Sequence, residues 1–231
     1  MLTTVLLDAG GVIIDESRHE QFHAQTICEL LLSHVPGYSV SQYWDDVAEA
    51  VNVYTPTVYK YIIWKHVQPD RRLFDLLAKE HALRWQRELL RPLKMLSGVR
   101  EELMAISEHY GVGLAGQWGA PVLELLRTEG VLDCFQWHLT QDDFAITKPD
   151  PRYYEQIAAR IGIPPEACVM VGDRIDKDII PARQVGMKTI LVRTGIHREQ
   201  QPRTPWESPD RELPGVRGLA DTVRSLDTES R

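Results

Sequence analysis

Cysteine is scarce in this chain: only three of its 231 residues are cysteines, Cys28, Cys134 and Cys168. They are widely spaced, odd in number and form no CxxC pair, which argues against a disulfide framework or a zinc ribbon. Blocks of lysine and arginine are missing as well, and the formal net charge is -7. Because such a chain offers no field that would attract a phosphate backbone, we expect no nucleic-acid partner.

Long apolar runs are also absent. No stretch approaches the length needed to cross a bilayer, and the N-terminus lacks the basic region and cleavage site of a signal peptide. We therefore expect a cytoplasmic protein with reduced thiols and no membrane partner. The hydrophobic content of 43% and charged content of 26% are ordinary for a folded protein. The length suffices for one core with a small accessory domain.

What the sequence does contain is an alternation of short apolar runs and helical stripes. The first run, Thr4 to Leu7, ends abruptly at Asp8 and is followed by Gly10 and Gly11, as expected for a strand buried on both faces. Similar runs follow later, with helical periods between them. This order predicts an α/β fold with a parallel sheet covered by helices. The later runs are 111–115, 168–171 and 188–192, with a weaker one at 135–139.

Residues 16–94 interrupt the alternation, because they carry helical stripes and no convincing strand. We predict that they form a helical domain inserted after the first strand, with the core built from residues 1–15 and 95–231. The stretch 195–210, rich in Gln, Arg, Pro and Glu, predicts a surface loop. A short helix is predicted over 219–226.

Carboxylates stand at the predicted strand ends, where ligands bind in parallel sheets. Asp8 ends the first strand, and Asp173 and Asp178 follow the run at 168–171. Carboxylates that lie close together at one edge of a sheet raise each other's pKa unless a cation compensates their charge. A Mg²⁺ ion with oxygen ligands would provide this compensation. Lys148 adds a fixed positive charge. A carboxylate nucleophile, a divalent cation and a lysine are the groups that move a phosphoryl group.

Four stretches carry a specific resemblance: VLLDAGG, GVGLAG, TKPDPRYYEQIA and VGDRIDKDIIPARQVGMKTILVRTG. In this order they are similar to the four motifs of the haloacid dehalogenase-like (HAD) hydrolase superfamily, capped phosphatase-like subfamily. The resemblance covers the chain apart from the insert and the tail. It implies a three-layer, Rossmann-like parallel sheet core with an inserted helical cap domain at 16–94.

The resemblance also implies roles for individual residues. Asp8 would be the nucleophile that forms an aspartyl-phosphate, and Lys148 would pair with it and with the phosphoryl oxygens. The implied Mg²⁺ ligands are Asp8, the main-chain carbonyl of Gly10, Asp173 and, directly or through water, Asp178. The implied substrate-binding positions are Gly10, Gly11, Gly116 and Gln117. We therefore expect a Mg²⁺-dependent phosphatase for a small phosphorylated metabolite, either a monomer or a homodimer.

Two positions depart from the superfamily's pattern. Gly10 stands where these phosphatases usually carry the Asp that protonates the leaving oxygen, and Gly116 stands where they carry a Ser or Thr that holds a phosphoryl oxygen. Lost acid–base help costs roughly 10²- to 10⁴-fold in rate. The candidates that could supply the missing proton are Asp15, Glu16, His19 and His23.

Three alternatives stay open. The departures favour a catalytically weakened relative that binds a phosphate ligand or a protein partner. A metal-free dehalogenase that uses Asp8 on a 2-haloacid is a further alternative, against which the acidic cluster argues. The stretch His19 to His23 matches HExxH, a zinc-protease pattern, although no third ligand follows at a recognisable spacing. Asp176 is expected to be a solvated or helix-capping residue.

Overall fold

The computed structural model describes residues 1–116, 118–140 and 143–229. The chain divides into two compact units. One unit contains Met1–Asp15 and Leu93–Arg231, and the other contains Glu16–Pro92. The chain therefore leaves the first unit shortly after its first strand and returns to it once.

The first unit is built on a parallel sheet of five strands in the order β2-β1-β3-β4-β5. All neighbouring strands pair in parallel, so the predicted parallel α/β core is confirmed. The central strand positions belong to the apolar runs seen in the sequence. The strands are β1 (Thr4–Leu7), β2 (Gly111–Leu114), β3 (Cys168–Gly172), β4 (Lys188–Val192) and β5 (Arg211–Leu213).

Helices cover both faces of this sheet. Alternate residues of each strand point to opposite sides, and because these residues are apolar, both faces need helices to bury them. Val5 and Leu7 belong to a large apolar cluster with the helices α5, α6 and α9. Leu6 and Met170 belong to a second cluster with α7 and α8. The three layers follow from these two cores. The helices are α5 (Val99–Ser107), α6 (Ala120–Thr128), α7 (Arg152–Ile161), α8 (Ile180–Gln184) and α9 (Leu219–Glu229).

The sheet differs from the sequence prediction at its two edges. The run 135–139 is not a strand: it makes one isolated bridge, between Trp137 and Gly113 of β2, directly after a 3₁₀ turn at Leu132–Cys134. β5, in contrast, was not predicted, since its Arg-Glu-Leu sequence has no apolar run. The stretch 195–210 contains two 3₁₀ turns, Gly195–His197 and Pro205–Glu207, and leads into β5.

The second unit contains four helices: α1 (Ser17–Leu32), α2 (Val40–Asn52), α3 (Val58–Val67) and α4 (Arg71–Glu88). Two of them begin at side-chain caps, where Ser39 accepts a hydrogen bond from the Gln42 amide and Asp70 accepts one from the Leu73 amide. Across the described ranges, no helix combines the length and the apolar character that a membrane span requires.

Candidate active site

The site begins with the adjacency of β1 and β3 in the sheet. Leu7 is in register with Val171, and the Asp8 amide donates a hydrogen bond to the Val171 carbonyl at 2.8 Å. Because both strands run in the same direction, the residues that follow them meet at one edge of the sheet. Asp8 and Asp173 are therefore neighbours although 165 positions separate them in the sequence.

Lys148 joins two carboxylates at this edge. Its Nζ lies 2.6 Å from Asp8 Oδ1 and 2.5 Å from Asp178 Oδ1. The side chains of Lys148 and Asp178 are each 2% exposed, whereas that of Asp8 is 14% exposed. Asp8 is thus the member of this trio that solvent, and hence a ligand, can reach.

Asp178 enters the site from a π-helical turn, Ile175–Ile179, that follows β3. Its Oδ2 accepts a hydrogen bond from the Arg174 amide at 3.1 Å. The turn passes so close to the strand that a Cβ at Gly172 would lie 2.3 Å from the Asp178 Cβ. Gly172 is therefore required for this approach.

Oxygens of Asp8, Asp173 and Asp178 lie within 4.8 Å of one another. All three residues offer hard oxygen donors, which Mg²⁺ prefers in proteins. One ammonium, that of Lys148, bridges two of these carboxylates, so the cluster retains excess negative charge. The donor set and the charge both fit a divalent cation.

The pKa values follow from burial and from these charges. Burial raises the pKa of Asp8, and the Asp178 charge adds to this rise while the Lys148 ammonium opposes it. For Lys148, burial acts to lower the pKa, but Asp178 and Asp8 outweigh it and raise the pKa well above its usual value. Lys148 is therefore a permanent positive charge in the site.

The two glycines after Asp8 form a tight loop. Gly11 has φ +66°, and its amide donates to the Ile14 carbonyl at 3.2 Å. A Cβ at Gly11 would lie 2.9 Å from Asp173 Cγ and 3.0 Å from Thr194 Oγ1. Glycine is thus needed here both for the backbone conformation and for the space that Asp173 occupies. Thr194, which the sequence did not indicate, donates to the Gly11 carbonyl at 2.5 Å.

Gly116 follows β2 and is packed against the nucleophile loop. A Cβ at this position would lie 2.8 Å from the backbone nitrogen of Ala9. The site therefore excludes the Ser or Thr that the superfamily's pattern places here. The second residue predicted at this place, Gln117, lies outside the described residues.

Two buried tyrosines of α7, which were not predicted as site residues, complete the surroundings. Tyr154 Oη lies 3.0 Å from the Lys177 carbonyl and 3.3 Å from Asp178 Oδ1. Tyr153 Oη lies 3.4 Å from the Gly116 carbonyl, and burial raises the pKa of Tyr153 to about 12. Their hydroxyl groups therefore stay protonated. Their position directly after the Lys148-Pro149 motif was the signal that could have indicated them.

The HExxH residues lie elsewhere, on α1 of the helical unit. His23 Nδ1 lies 2.9 Å from Nε2 of His81 on α4, and its ring stacks on Tyr59. Burial lowers the pKa of His23 to about 2 and that of His81 to about 4, so both imidazoles are neutral at pH 7. Among the described residues, the group of three or more potential metal ligands is the aspartate cluster alone. The zinc-protease interpretation has no support in this geometry.

A parallel α/β core with this aspartate–lysine cluster brings together the groups that phosphoryl transfer requires. Several of the known proteins to which the chain is similar are named phosphatases or HAD hydrolases. Residues 145–219 match the protein family described as HAD-hydrolase-like. A glyceraldehyde 3-phosphate phosphatase of Methanopyrus kandleri is 37% identical over 103 residues, which are 45% of this chain and 44% of that relative. The match thus spans less than half of that relative's length.

Two further similarities extend over nearly the whole chain. The glyceraldehyde 3-phosphate phosphatase of Pyrococcus furiosus is 23% identical over 203 residues, 86% of this chain and 83% of that one. The crystal structure of the HAD-hydrolase YfnB from Bacillus subtilis bound to magnesium superposes with a TM-score of 0.67 at 17% identity, over 96% of this chain and 98% of that one. The chain is thus similar to HAD-like hydrolases over residues 145–219, and it shares the fold of a HAD hydrolase over most of its length.

Proposed function

We propose that this protein is a Mg²⁺-dependent phosphatase that hydrolyses a small phosphorylated metabolite through an aspartyl-phosphate on Asp8. The observation that supports the proposal is the cluster at the sheet edge: Lys148 bridges Asp8 and Asp178, and Asp173 lies within reach of both carboxylates. Of the bridged carboxylates, Asp8 is the more accessible one, as the nucleophile has to be.

Asp8, Asp173 and Asp178, together with the main-chain carbonyl of Gly10, would hold the Mg²⁺ ion. When bound, the ion neutralises the charge of the phosphoryl oxygens and of the nucleophile. The raised pKa of Asp8 without metal is consistent with this role, because a cation at this place favours the ionised carboxylate.

The chain's own groups account for the two half-reactions. An Asp8 carboxylate oxygen attacks phosphorus, the ester P–O bond breaks, and the leaving oxygen departs with the bonding pair. The Lys148 ammonium keeps Asp8 oriented and compensates charge on the transferred group. Water then attacks the aspartyl-phosphate, which releases phosphate and regenerates the Asp8 carboxylate.

The leaving oxygen of an alkyl phosphate needs a proton, and Gly10 has no side chain to supply one. We infer that a residue of the turn after the nucleophile supplies it, with Asp15, Glu16 and His19 as candidates. His23 is a poor candidate, because burial keeps its imidazole neutral. Single alanine variants at these positions test the inference. Unchanged turnover of an alkyl phosphate in all of them would rule it out.

The helical unit Glu16–Pro92 is proposed to be the cap domain that selects the substrate. Because several relatives are named glyceraldehyde 3-phosphate phosphatase, phosphorylated three-carbon compounds are the first candidates. The experiment is a phosphate-release assay with glyceraldehyde 3-phosphate, p-nitrophenyl phosphate and acetyl phosphate, each in Mg²⁺ and in EDTA. Asp8→Asn is the control.

We expect Mg²⁺-dependent release that Asp8→Asn abolishes. Acetyl phosphate should be turned over at the highest rate, because acetate leaves without needing a proton. Gly10 and Gly116 favour a second candidate function, a weakened relative that binds a phosphate ligand or a protein partner. No release above the Asp8→Asn control from any of the three compounds would favour that binding role.

A further inference from the structure

The π-helical turn Ile175–Ile179 carries Asp178 and directly follows Asp173, so its placement decides where two carboxylates of the cluster lie. The first amides of a helical turn have no partner within the turn and need an acceptor from elsewhere. For Ile175 this acceptor comes from a different loop. Its amide donates to Gln200 Oε1 at 2.7 Å.

The other end of the same side-chain amide is also used. Gln200 Nε2 donates to Asp176 Oδ1 at 2.8 Å, and Asp176 in turn accepts from the Arg174 guanidinium at 2.6 Å. Asp176 was expected to be solvated or to cap a helix, and it is instead a paired member of this network. Gln200 is 1% exposed. A buried amide with both ends engaged has one rotamer and one orientation.

The loop that carries Gln200 is itself held firmly. The backbone N–H of Gln200 donates a hydrogen bond to the His197 carbonyl at 2.9 Å, and the Arg193 guanidinium donates one to the backbone carbonyl of Gln200. Thr194, at the start of the same loop, donates to the Gly11 carbonyl in the nucleophile loop. The segment after β4 therefore contacts both the loop after β1 and the turn after β3.

We propose that Gln200 is a positioning residue that fixes the Ile175–Ile179 turn and thereby holds Asp173 and Asp178 at metal-binding separation. The described contacts through which Gln200 would act are those with Ile175 and Asp176. The inference rests on the proposed function for the identity of the cation. Its structural part, the Gln200–Ile175 hydrogen bond, does not depend on that function.

The test is Mg²⁺ binding measured by isothermal titration calorimetry on the full chain, with Gln200→Met as the variant. Methionine has a similar length and neither donor nor acceptor of comparable strength. Loss of such an outer partner typically weakens metal binding about 10- to 100-fold, so we expect the Mg²⁺ dissociation constant to rise at least about tenfold. Unchanged Mg²⁺ affinity in Gln200→Met would overturn the proposal.

Two control variants separate positioning from general destabilisation. Gln201→Ala removes the neighbouring, exposed amide. Leu226→Ala removes a buried side chain of α9 from the apolar cluster that contains Val5 and Leu7. This variant should lower the melting temperature. Both should keep wild-type Mg²⁺ affinity. A loss of affinity in Leu226→Ala equal to that in Gln200→Met would assign the effect to destabilisation and overturn the positioning role.

A measurement on the unmodified protein covers the case in which Gln200→Met does not fold. Hydrogen exchange of the Ile175 amide, followed by NMR in EDTA, should be slow because Gln200 accepts its proton. Exchange at the rate of an unprotected amide would overturn the inference. If the wild type takes up no Mg²⁺ while the Ile175 amide is protected, the result overturns the role of Gln200 in metal binding and the proposed Mg²⁺ dependence. The hydrogen bond between Gln200 and Ile175 is then still confirmed.

Discussion

The Lys148 ammonium lies 2.6 Å from the Asp8 carboxylate, and the same nitrogen contacts Asp178 on its other side. A lysine in this position serves two purposes. It compensates two of three crowded carboxylates, of which Asp8 is the more exposed, at 14% against 2% for Asp178. The ion pair of Lys148 and Asp8 therefore stabilises the metal-free protein and also belongs to the candidate active site.

Replacing Lys148 by methionine should destabilise the protein most when no metal is present. Breaking a buried ion pair costs about 3–5 kcal/mol, because the remaining charges stay buried without compensation. Mg²⁺ would restore part of this loss. We expect urea unfolding of Lys148→Met to show a larger gain in stability from Mg²⁺ than the wild type shows, and phosphate release to fall about 10²-fold or more.

Lys188→Met is the matched control, because the Lys188 side chain is 43% exposed and lies 3.5 Å from its partner, Asp210. Exposed pairs contribute about 0–1 kcal/mol, so this variant should change little. An equal Mg²⁺ response in Lys148→Met and in the wild type would contradict the proposed compensation.

Restoring the hydroxyl that the superfamily's pattern places at position 116 should harm this protein. In Gly116→Ser the new Cβ would meet the backbone nitrogen of Ala9, which cannot move aside as a side chain can. Such overpacking costs about 1–3 kcal/mol. We expect a lower melting temperature and no gain in phosphate release. Gly215→Ser, where a Cβ meets no atom within 4 Å, is the control; a faster Gly116→Ser enzyme of wild-type stability would refute the steric argument.

The sequence predicted the central part of the sheet because β1, β3 and β4 are short apolar runs closed by charge or glycine. It also predicted the edge strand β2 within 111–115, but it missed β5 and wrongly predicted a strand at 135–139. β5 is Arg-Glu-Leu, an edge strand whose pairing with β4 depends on main-chain hydrogen bonds that no side-chain pattern records. At 135–139 the apolar pattern is present, yet pairing with β2 is limited to one bridge at Trp137.

The site shows the same division. The proximity of Asp8, Asp173 and Asp178 could be predicted because strand ends of a parallel sheet meet at one edge. Lys148 follows no strand of the described sheet, and the motif resemblance was what indicated it. Gln200 could not be predicted, because its role depends on where a long loop folds back onto the turn after β3. Local sequence gives residue types and strand ends, whereas the contacts of such a loop are set by tertiary packing.

The space beside Gly11 allows a sharp test of how Asp173 is placed. In Gly11→Ala the Cβ would lie 2.9 Å from Asp173 Cγ, so the carboxylate has to move. We expect the Mg²⁺ dissociation constant to rise about tenfold, as for other losses of ligand orientation. Gly162→Ala has the same left-handed backbone, φ +73° against +66°, and no atom within 4 Å of the new Cβ. It should share the backbone strain and keep Mg²⁺ affinity; equal affinity in both variants would show that Asp173 tolerates the shift.

The His23–His81 pair predicts how the protein responds to acid. Both imidazoles have lowered pKa values, about 2 and about 4, because burial disfavours their charged forms. In the unfolded chain each binds a proton near its ordinary pKa of 6.5. The unfolded state therefore holds more protons below pH 6.5, and stability is lost as the pH falls from there. At pH 5 this amounts to about 2 kcal/mol for each imidazole.

His81→Gln removes one of these titrating groups and keeps an amide that can bond to His23. We expect the difference in unfolding free energy between pH 7.5 and pH 5, measured by urea denaturation, to be about 2 kcal/mol smaller in this variant than in the wild type. His34→Gln is the control, since His34 is exposed in the same helical unit. An unaltered acid response in His81→Gln would show that the buried imidazole pair does not carry it.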